Sequence, residues 1–420
     1  MHASSDRRDF IKRLSIVNLK RTLLILVMVS TGDGYSQTPQ EQTTVTISDY
    51  LIAIDSLEAN QGAYSAELSD LFMGLGKSYV IQQEYDDANL AFQRGMQIER
   101  INFGLDSLSQ SAYLMSIAET EKLMGDLDQA QTVLDQLYSL NAKSYGQSDV
   151  RMLPVIESLM DWHTKVYPLR KPKGGFHTLI ALEDLANDMY KILDAEVSLK
   201  DPATPDRYKR IGKVQFLIAN HIKHYGEPRD SSFSVAVEGS SGARTEPRTS
   251  YKHFKRGKAA LQRVIESLMQ QQPSIIVEQA DAIANLGDWY LVFGQITSAT
   301  KTYQVAEEIV DTTDNPDQLR TLLFQEAAVI DFSDGLEQSA RQEATAGAGA
   351  TESLQISMQI SKSGFASDFQ IIDDKATLTK EELKVLQQHF RKKRFRPFFS
   401  DGKTQTVRFN KSYDLVSTGV

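Results

Sequence analysis

The tripeptide Gly76-Lys77-Ser78 carries the residue types that close a phosphate-binding loop. In the pattern G-x4-G-K-[ST], the first glycine would stand at position 71, but that position is Leu71. No apolar strand precedes the tripeptide, and it lies inside a stretch with helical spacing. Because the amides in a helix interior are already hydrogen-bonded, they do not bind phosphate. The sequence therefore predicts no nucleotide site here.

Two histidines, His221 and His224, stand at positions i and i+3, which lie on one face of a helix. Such a pair could share a metal ion, but a metal site needs further ligands, and no nearby carboxylate or histidine is obviously placed to supply them. The sequence has no cysteine, which excludes thiolate ligands and disulfides. We therefore expect two partly exposed helical histidines and no metal.

Other patterns of catalytic residues are also missing. The sequence contains neither H-E-x-x-H nor G-x-S-x-G. The adjacent carboxylates Asp86-Asp87 and Glu381-Glu382 are expected on helix surfaces, where acidic residues are common. Trp162 and Trp289 are interpreted as helix-packing residues. The sequence thus predicts no catalytic residue and no cofactor, and an enzyme is not expected.

Around Gly76, small and large residues alternate in a way that suits two packed helices. Small side chains let two helix backbones approach, and large ones fill the space beside them. Over Phe72 to Gln97 the small residues are Gly76, Ala88 and Gly95, and the large ones are Phe72, Leu75, Tyr79, Tyr85 and Phe92.

This order recurs at a fixed distance along the chain. Ala130 follows Ala88 by 42 residues, and Gly62, Gly104 and Gly146 are also 42 residues apart, each before a helical run. The pattern resembles the tetratricopeptide repeat, in which W-x2-L-G-x2-Y is followed by A-x3-F with a period of about 34 residues. The longer period resembles the kinesin light chain type of this repeat.

The resemblance covers roughly residues 47–330 and implies a solenoid of helical hairpins with a groove for peptides or proteins. A second good match contains Ile283, Leu286, Gly287, Tyr290, Gly294, Ala299, Tyr303 and Ala306. Between the two matches the pattern decays. Helical runs are predicted at 178–199, 208–225 and 251–270, after a chain break at Pro168 and Lys171–Gly175, and 48–60 is predicted to cap the array.

The N-terminal residues 1–36 have the features of a signal peptide. A basic region is followed by the apolar run 23–29, and Gly34 and Ser36 place small residues at the cleavage positions, so we expect cleavage near Ser36–Gln37 and a periplasmic protein. The alternative is an uncleaved inner-membrane anchor, although the run is shorter than the roughly 20 residues of a spanning helix. Arg7-Arg8 also resembles a twin-arginine export motif.

Two further segments look unstructured in the sequence. Residues 226–250 are polar and long for a helix connection, and we interpret them as a surface loop with a binding loop as the alternative. Residues 333–351 include an Ala- and Gly-rich run without bulky residues, and we predict a flexible linker. The predicted domains are therefore a helical repeat domain at 37–332 and a C-terminal domain at 352–420.

The C-terminal domain is predicted to be a small α+β unit of order strand-strand-helix-strand-strand. Residues 354–360 alternate apolar and polar side chains, and Phe365 to Ile372 follow as a returning strand. Thr379 and Glu382 form a capping box that opens a helix. A short strand, a turn at Asp401-Gly402 and a closing strand complete the unit. The whole fold class is mainly α.

Two motifs in this unit resemble the C-terminal domain of the TonB family over about residues 353–415. They are Arg394-Phe395-Arg396-Pro397 after the helix and Asp401-Gly402-Lys403 before the closing strand. The chain departs from the energy transducers of that family, because it has no clear spanning helix and no long proline-rich spacer. The resemblance implies a surface for protein partners in the bacterial envelope.

The charge distribution differs between the two parts. Residues 375–420 hold 11 basic and 4 acidic residues, whereas 37–374 hold 29 basic and 48 acidic ones. The parts could attract each other or bind different partners, and ordinary solvated surface is the alternative. A net charge of −9 disfavours nucleic acid as a partner.

The leading functional hypothesis is a periplasmic scaffold that binds peptides or proteins and no small-molecule substrate. Its closing strand, Thr406 to Asp414, would accept a strand from a partner by main-chain hydrogen bonding. Arg408, Asn410 and Ser412 would face away from the core and tune specificity. Alternatively, this edge is solvated or covered by the rest of the chain. A second hypothesis is a component of TonB-type energy-coupled transport at the outer membrane, anchored by an uncleaved N-terminal segment.

Overall fold

The computed structural model describes residues 46–170, 172–226, 248–271, 275–325, 328–332, 352–372 and 380–415. Residues 47–420 cluster into one compact unit. The predicted signal peptide, most of the polar segment 226–250, the predicted linker 333–351 and Thr379 of the capping box lie outside the described residues. No helix among the described residues is long and apolar enough to cross a membrane.

The described chain is mainly helical up to residue 325. Short 3₁₀ turns at Leu108–Gln110, Val150–Met152 and Tyr167–Leu169 separate some of the helices, and a π-helical turn follows the last one at Thr321–Gln325. The helices before it are α1 (Ile47–Gln61), α2 (Glu67–Ile81), α3 (Tyr85–Phe103), α4 (Ser111–Met124), α5 (Leu127–Tyr145), α6 (Leu153–Val166), α7 (Pro172–Glu196), α8 (Thr204–Tyr225), α9 (Arg248–Gln270), α10 (Ile276–Val292), α11 (Ile296–Val310) and α12 (Pro316–Arg320).

The 42-residue period reappears in the loops that follow α1, α3 and α5. Gly62, Gly104 and Gly146 each end a helix with a left-handed φ of +91°, +97° and +93°. Each glycine amide donates to the carbonyl four residues earlier at 2.8, 3.0 and 2.8 Å. Each glycine carbonyl then accepts from the residue three positions later at 3.2 Å. The three loops are therefore copies of one structure, and glycine is required in each because of its φ.

A second repeated turn joins the two helices of three hairpins. The left-handed position is Gln83 in the α2–α3 turn, Gly125 in α4–α5 and Gly294 in α10–α11, with φ of +63°, +85° and +76°. In each turn, the next residue donates its amide to a carbonyl five residues back, at 3.0, 2.9 and 2.9 Å. The first turn thus has a glutamine at the position where the other two turns have glycine.

This difference predicts that Gln83→Gly stabilises the protein. A left-handed conformation costs an L-residue roughly 1–2 kcal/mol, and part of that gain is offset by the larger entropy of glycine in the unfolded chain. We expect the free energy of unfolding to rise by about 0.5 kcal/mol in a urea titration. Gly125→Ala, the reverse change in the next turn, should lower it. A Gln83→Gly variant less stable than wild type would contradict this reading of the turn.

Glycine–aromatic pairs hold the hairpins together, as the alternation of small and large residues predicted. A Cβ added to Gly76 of α2 would lie 2.4 Å from the Phe92 ring of α3. The same distance separates an added Cβ on Gly287 of α10 from the Tyr303 ring of α11. Both pairs are 16 residues apart in the chain and both rings are fully buried. The first and last hairpins are therefore packed in the same way.

We expect Gly76→Ala and Gly287→Ala each to lower the free energy of unfolding by about 1–3 kcal/mol, because the added methyl group overpacks a buried ring. Gly212→Ala is the matched control. Gly212 also lies inside a helix, α8, but its added Cβ would meet Leu261 at an ordinary 3.6 Å. That variant should gain about 0.5–1 kcal/mol from helix propensity. Equal effects at all three positions would exclude glycine–aromatic packing as the cause.

The helices predicted between the two clear matches are present, but the chain break before them is shorter than predicted. Lys171–Gly175 was expected to be irregular, whereas α7 begins at Pro172 and includes both glycines. Proline has no amide hydrogen and is therefore well suited to the first turn of a helix, where that hydrogen has no partner. Only the 3₁₀ turn Tyr167–Leu169 and the residues immediately after it separate α6 from α7.

The C-terminal part contains one more helix, α13 (Lys380–Lys392), and most of the strands. The strands are β1 (Val329–Ile330), β2 (Glu352–Ile360), β3 (Ala366–Ile371), β4 (Arg394–Phe395), β5 (Phe398–Ser400), β6 (Lys403–Gln405) and β7 (Val407–Leu415). The main sheet has the order β3-β2-β7, with both pairs antiparallel, and two further two-stranded sheets pair β1 with β4 and β5 with β6.

This arrangement corrects the predicted order in two respects. The predicted closing strand is preceded by a separate short strand, β6, so that the turn at Asp401-Gly402 connects β5 to β6 instead of to β7. The segment at β4 pairs with β1, which belongs to the chain directly after the helices. The small α+β region therefore shares a sheet with the end of the helical part.

Candidate functional site

β7, the strand predicted to accept a strand from a partner, lies at the edge of its sheet. All nine of its residues pair with β2 in an unbroken antiparallel register from Val407↔Ile360 to Leu415↔Glu352. Among the described residues, no strand pairs with its other edge. An unpaired edge exposes a row of backbone N–H and C=O groups, which can pair with another strand.

The inner face of this sheet is fixed by a hydrophobic core. Leu354, Ile356, Met358 and Ile360 of β2 are buried, together with Leu386 and Phe390 of α13. Phe409 of β7 packs against the same cluster. A one-residue slip of β7 would turn its apolar side chains to solvent, so the core holds the register of the edge strand.

Arg408, Asn410 and Ser412 lie where the alternation placed them, on the exposed face of β7. They stand opposite Gln359, Ser357 and Gln355 of β2. Arg408 also has partners that the sequence did not reveal. Its guanidinium forms an ion pair with Asp368 of β3 and donates to Ser357 Oγ at 3.3 Å. Arg408 is thereby tied to its own sheet, while Asn410 stands beside it on the outer face.

A buried ion pair attaches the C-terminal region to the last helical hairpin. The Arg396 guanidinium donates from Nη2 to Asp288 Oδ2 at 2.6 Å and from Nε to Oδ1 at 3.0 Å. The two residues are 7% and 5% exposed. Tyr303 of α11 donates its hydroxyl to the same carboxylate at 2.7 Å, and Asn285 accepts from Nη2 at 3.0 Å. Leu323 O accepts from Nη1 at 3.2 Å, so the Arg396 side chain binds both α10 and the turn that contains Leu323.

The charges of this network stabilise each other. Burial alone would lower the pKa of Arg396, but the adjacent Asp288 carboxylate raises it above its usual range. Burial and the same carboxylate raise the pKa of Tyr303 well above its ordinary value. Arg396 is therefore charged and Tyr303 neutral at any physiological pH.

The Asp401-Gly402 turn contacts the same hairpin. Gln304 Nε2 of α11 donates to Gly402 O at 2.9 Å, and the Gly402 amide donates to Glu307 Oε2 at 3.2 Å. Next to this turn, the buried Phe399 ring lies 5.7 Å from Tyr303 and 5.5 Å from Phe324. The two sequence motifs, at 394–397 and 401–403, therefore both lie against α10, α11 and the π-helical turn Thr321–Gln325.

The other residues that the sequence analysis considered for chemistry lie inside helices or in the core. Gly76-Lys77-Ser78 lies inside α2, where Gly76 faces Phe92. Trp162 and Trp289 are buried, as expected of packing residues. His221 was expected to be partly exposed and is instead 3% exposed, because the rings of Tyr167, Phe176 and Tyr225 surround it.

The histidine pair does not form a metal site in the described part of the chain. His221 Nδ1 lies 3.1 Å from the Tyr167 hydroxyl, and His224 Nδ1 lies 2.8 Å from Asn220 O on its own helix. No group of three or more metal-binding side chains was found among the described residues. Burial lowers the pKa of His221, with a smaller contribution from the charge of His224.

Comparison with known proteins gives matches to solved structures at low identity and low TM-score. No family model and no curated protein matches the chain. A Podosopora anserina putative kinesin light chain with nearly identical TPR-like repeats is 13% identical with a TM-score of 0.35, over 59% of this chain and 97% of that one. BtubC (BKLC) from P. vanneervenii is 11% identical with a TM-score of 0.34, over 68% and 92%. The TPR2AB domain of yeast Sti1, in a complex with pHSP90, is 12% identical with a TM-score of 0.20, over 70% and 91%.

The repeated loops and the glycine–aromatic pairs of the chain itself show how its helices pack into hairpins. The chain is a mainly helical protein built from tetratricopeptide-like hairpins, with a small strand-containing region at its C-terminal end.

Proposed function

We propose that the protein is an exported scaffold for protein–protein interaction, and that β7 is the strand to which a partner adds. The observation that carries the proposal is the nine-residue edge strand whose register is fixed by a buried core on one face. Strand addition obtains its affinity from main-chain hydrogen bonds and its specificity from alternate side chains. Asn410 and Ser412 on the outer face are the side chains that would select the partner.

The resemblance of residues 353–415 to the C-terminal domain of the TonB family supports the same proposal. In this chain, the two motif segments are held against α10 and α11 by Arg396 and Gly402. A strand region fixed to helical hairpins suits a scaffold that presents a binding edge. Its partner would be a protein or peptide of the bacterial envelope, since the N-terminal 36 residues predict export to the periplasm.

A pair of proline variants tests strand addition at β7. In an antiparallel edge strand, the N–H groups of successive residues alternate between the neighbouring strand and the open edge. The N–H groups of the adjacent residues 410 and 411 therefore point in opposite directions. In the pair Asn410→Pro and Lys411→Pro, one variant loses a hydrogen bond to β2 and becomes less stable, whereas the other variant loses only an N–H that faces the open edge. The stable one of the two should lose its partner while its unfolding curve stays close to that of the wild type.

Partner capture is measured with a photo-crosslinking amino acid placed at Ser412 in cells, with the same residue placed at Glu196 of α7 as a control. We expect a crosslinked product from position 412 that disappears in the stable proline variant and is not formed from position 196. A crosslinked product that both proline variants retain would exclude strand addition.

Export is tested by sequencing the N-terminus of the native protein after cell fractionation. The proposal expects a chain that starts near Gln37 in the soluble periplasmic fraction. An intact N-terminus in the inner-membrane fraction would instead favour a component of TonB-type transport, since force transmission needs an anchor. Receptor-dependent uptake would then be the function to measure.

A further inference from the structure

An acidic groove lies between α5, α6 and α7, far along the chain from the strand edge. It encloses a volume of about 300 Å³, at the lower limit of the roughly 300–1,000 Å³ typical of ligand pockets. The volume suits one side chain or a small cation. Its lining residues are Gln131, Leu134, Asp135, Tyr138 and Ser139 from α5, Leu159 and His163 from α6, and Ala181, Asp184, Leu185 and Asp188 from α7.

The spacing of these residues shows how the groove is formed. On α5 they occupy positions i, i+3, i+4, i+7 and i+8 counted from Gln131, and on α7 positions i, i+3, i+4 and i+7 counted from Ala181, so each helix contributes one continuous face. α6 lies between them and supplies the floor with Leu159 and His163, both buried. Leucines from all three helices provide an apolar lining below a polar rim.

The rim carries negative charge on both sides. Asp135 stands on α5, and Asp184 and Asp188 stand on α7; the described lining residues include no lysine or arginine. Asp188 is partly compensated, because it accepts from Tyr138 Oη at 2.7 Å and pairs with Lys191 at 2.9 Å.

Asp184 has no ion pair or hydrogen bond among the described residues. Burial and the neighbouring carboxylates of Glu183 and Asp188 raise its pKa. Glu183 itself is bound to Lys252 and Arg256 of α9 and does not contribute a free carboxylate. Among the described residues, Asp135 accepts only an amide hydrogen bond, from Gln131 at 2.8 Å. Within that part of the chain, each wall thus presents a carboxylate that forms no ion pair, although the charges of Lys191 and Lys252 act on Asp184.

The floor contains a polar group without a partner. His163 is 2% exposed, and its Nδ1 has no hydrogen-bond partner in the described part of the chain. A buried polar atom without a partner costs free energy unless a ligand or water supplies one. The nearby Arg170 does not fill this role, because its guanidinium is bound to Asp128 and to Leu127 O.

We propose that this groove binds the arginine side chain of a partner segment. A guanidinium has five donors in a planar fork, so it can reach carboxylates on two opposite walls and still direct an N–H toward the floor. Its alkyl stem would pack against Leu134, Leu159 and Leu185. The proposal deepens the scaffold function and rests on it, since it names a chemical feature that the helical part would recognise in a protein partner.

Ligand-observed saturation-transfer NMR on the full chain tests this assignment with three probes: N-acetyl-arginine amide, its citrulline counterpart and spermidine. The citrulline probe has nearly the same shape without the charge, and spermidine represents a free polyamine. We expect the arginine probe to bind at least about tenfold more tightly than either of the others. Equal binding of the citrulline probe, or tighter binding of spermidine, would overturn the proposal.

Variants then locate the bound probe. Asp135→Asn together with Asp184→Asn removes two charges without breaking a salt bridge among the described residues, and should weaken arginine binding about tenfold or more. Glu196→Gln removes an exposed charge from the same helix, α7, and should change nothing. His163→Leu should also weaken binding, although it removes no charge at pH 7. Unchanged binding in the double variant would overturn the site, and unchanged binding in His163→Leu would overturn the floor contact.

These experiments separate the groove from the strand edge. The stable proline variant in β7 should bind the arginine probe normally, and the double aspartate variant should retain the crosslinked product from position 412. If the stable proline variant failed to bind the arginine probe while the double aspartate variant kept the crosslinked product, the edge of β7 would not be a site independent of the groove. Absence of probe binding with an intact crosslink would reject the groove and leave the scaffold proposal standing.

Discussion

Arg396→Ala is expected to lower the free energy of unfolding by about 3–5 kcal/mol, because it leaves the Asp288 carboxylate buried without its partner. Both side chains are less than 10% exposed, and Arg396 makes hydrogen bonds to Asp288, Asn285 and Leu323 O. Among the described residues, only Tyr303 would still donate a hydrogen bond to the carboxylate. The measurement is an equilibrium urea titration at pH 7 followed by circular dichroism.

Two control variants distinguish the cost of breaking the buried ion pair from the cost of removing an arginine at another position. Arg408→Ala breaks the ion pair with Asp368, whose side chains are 42% and 51% exposed, and should cost no more than about 1 kcal/mol. Arg396→Met combined with Asp288→Leu removes both charges and should recover part of the stability lost in Arg396→Ala, although the buried Tyr303 hydroxyl loses its acceptor. If Arg396→Ala cost no more than Arg408→Ala, the buried ion pair would not be what holds the C-terminal region to the hairpin.

Acid should destabilise the protein through His163 before the carboxylates titrate. Burial, together with a smaller contribution from the Arg170 charge, lowers the pKa of His163 to about 4. In the unfolded chain, a histidine has a pKa of about 6.5. Between these values, the unfolded state binds a proton that the folded state does not, so the free energy of unfolding falls as the pH falls. The total loss is about 3 kcal/mol, of which about 2 kcal/mol is reached by pH 5.

The pH dependence of stability is measured by urea titrations at pH 7 and pH 5 for the wild type and for His163→Leu. The variant should lose about 2 kcal/mol less than the wild type over this interval. His221→Asn is the control for the other buried histidine with a lowered pKa, and the two contributions should be separable because the residues lie on different helices. Identical pH slopes in the wild type and His163→Leu would show that folding does not lower the pKa of His163.

The repeat architecture was predictable because its determinants are local or recur at a fixed period. Gly62, Gly104 and Gly146 recur at 42 residues because each loop needs a left-handed glycine. Gly76 and Phe92 could be paired from sequence, since a hairpin brings residues on its two helices into contact. The strands β2 and β7 were predictable from period-two alternation, which also placed Asn410 on the outer face.

The contacts between distant segments were not predictable. Arg396 and Asp288 are 108 residues apart, and neither has a sequence context that indicates burial as an ion pair. The two motifs near Arg396 suggested a family resemblance, whereas their contacts with α10 and α11 appear only in the folded chain. The groove beside His163 draws its lining from three helices, so no single segment carries its pattern.

Amide hydrogen exchange along β7 tests the central claim of strand addition most directly. The captured partner is added to the full chain, and the deuterium uptake of Val407–Leu415 is compared with and without it. Strand addition predicts new protection for about half of these amides, those that face the open edge, and little change in β2, which is already paired on both sides. A partner that binds without any added protection in β7 would contradict the claim.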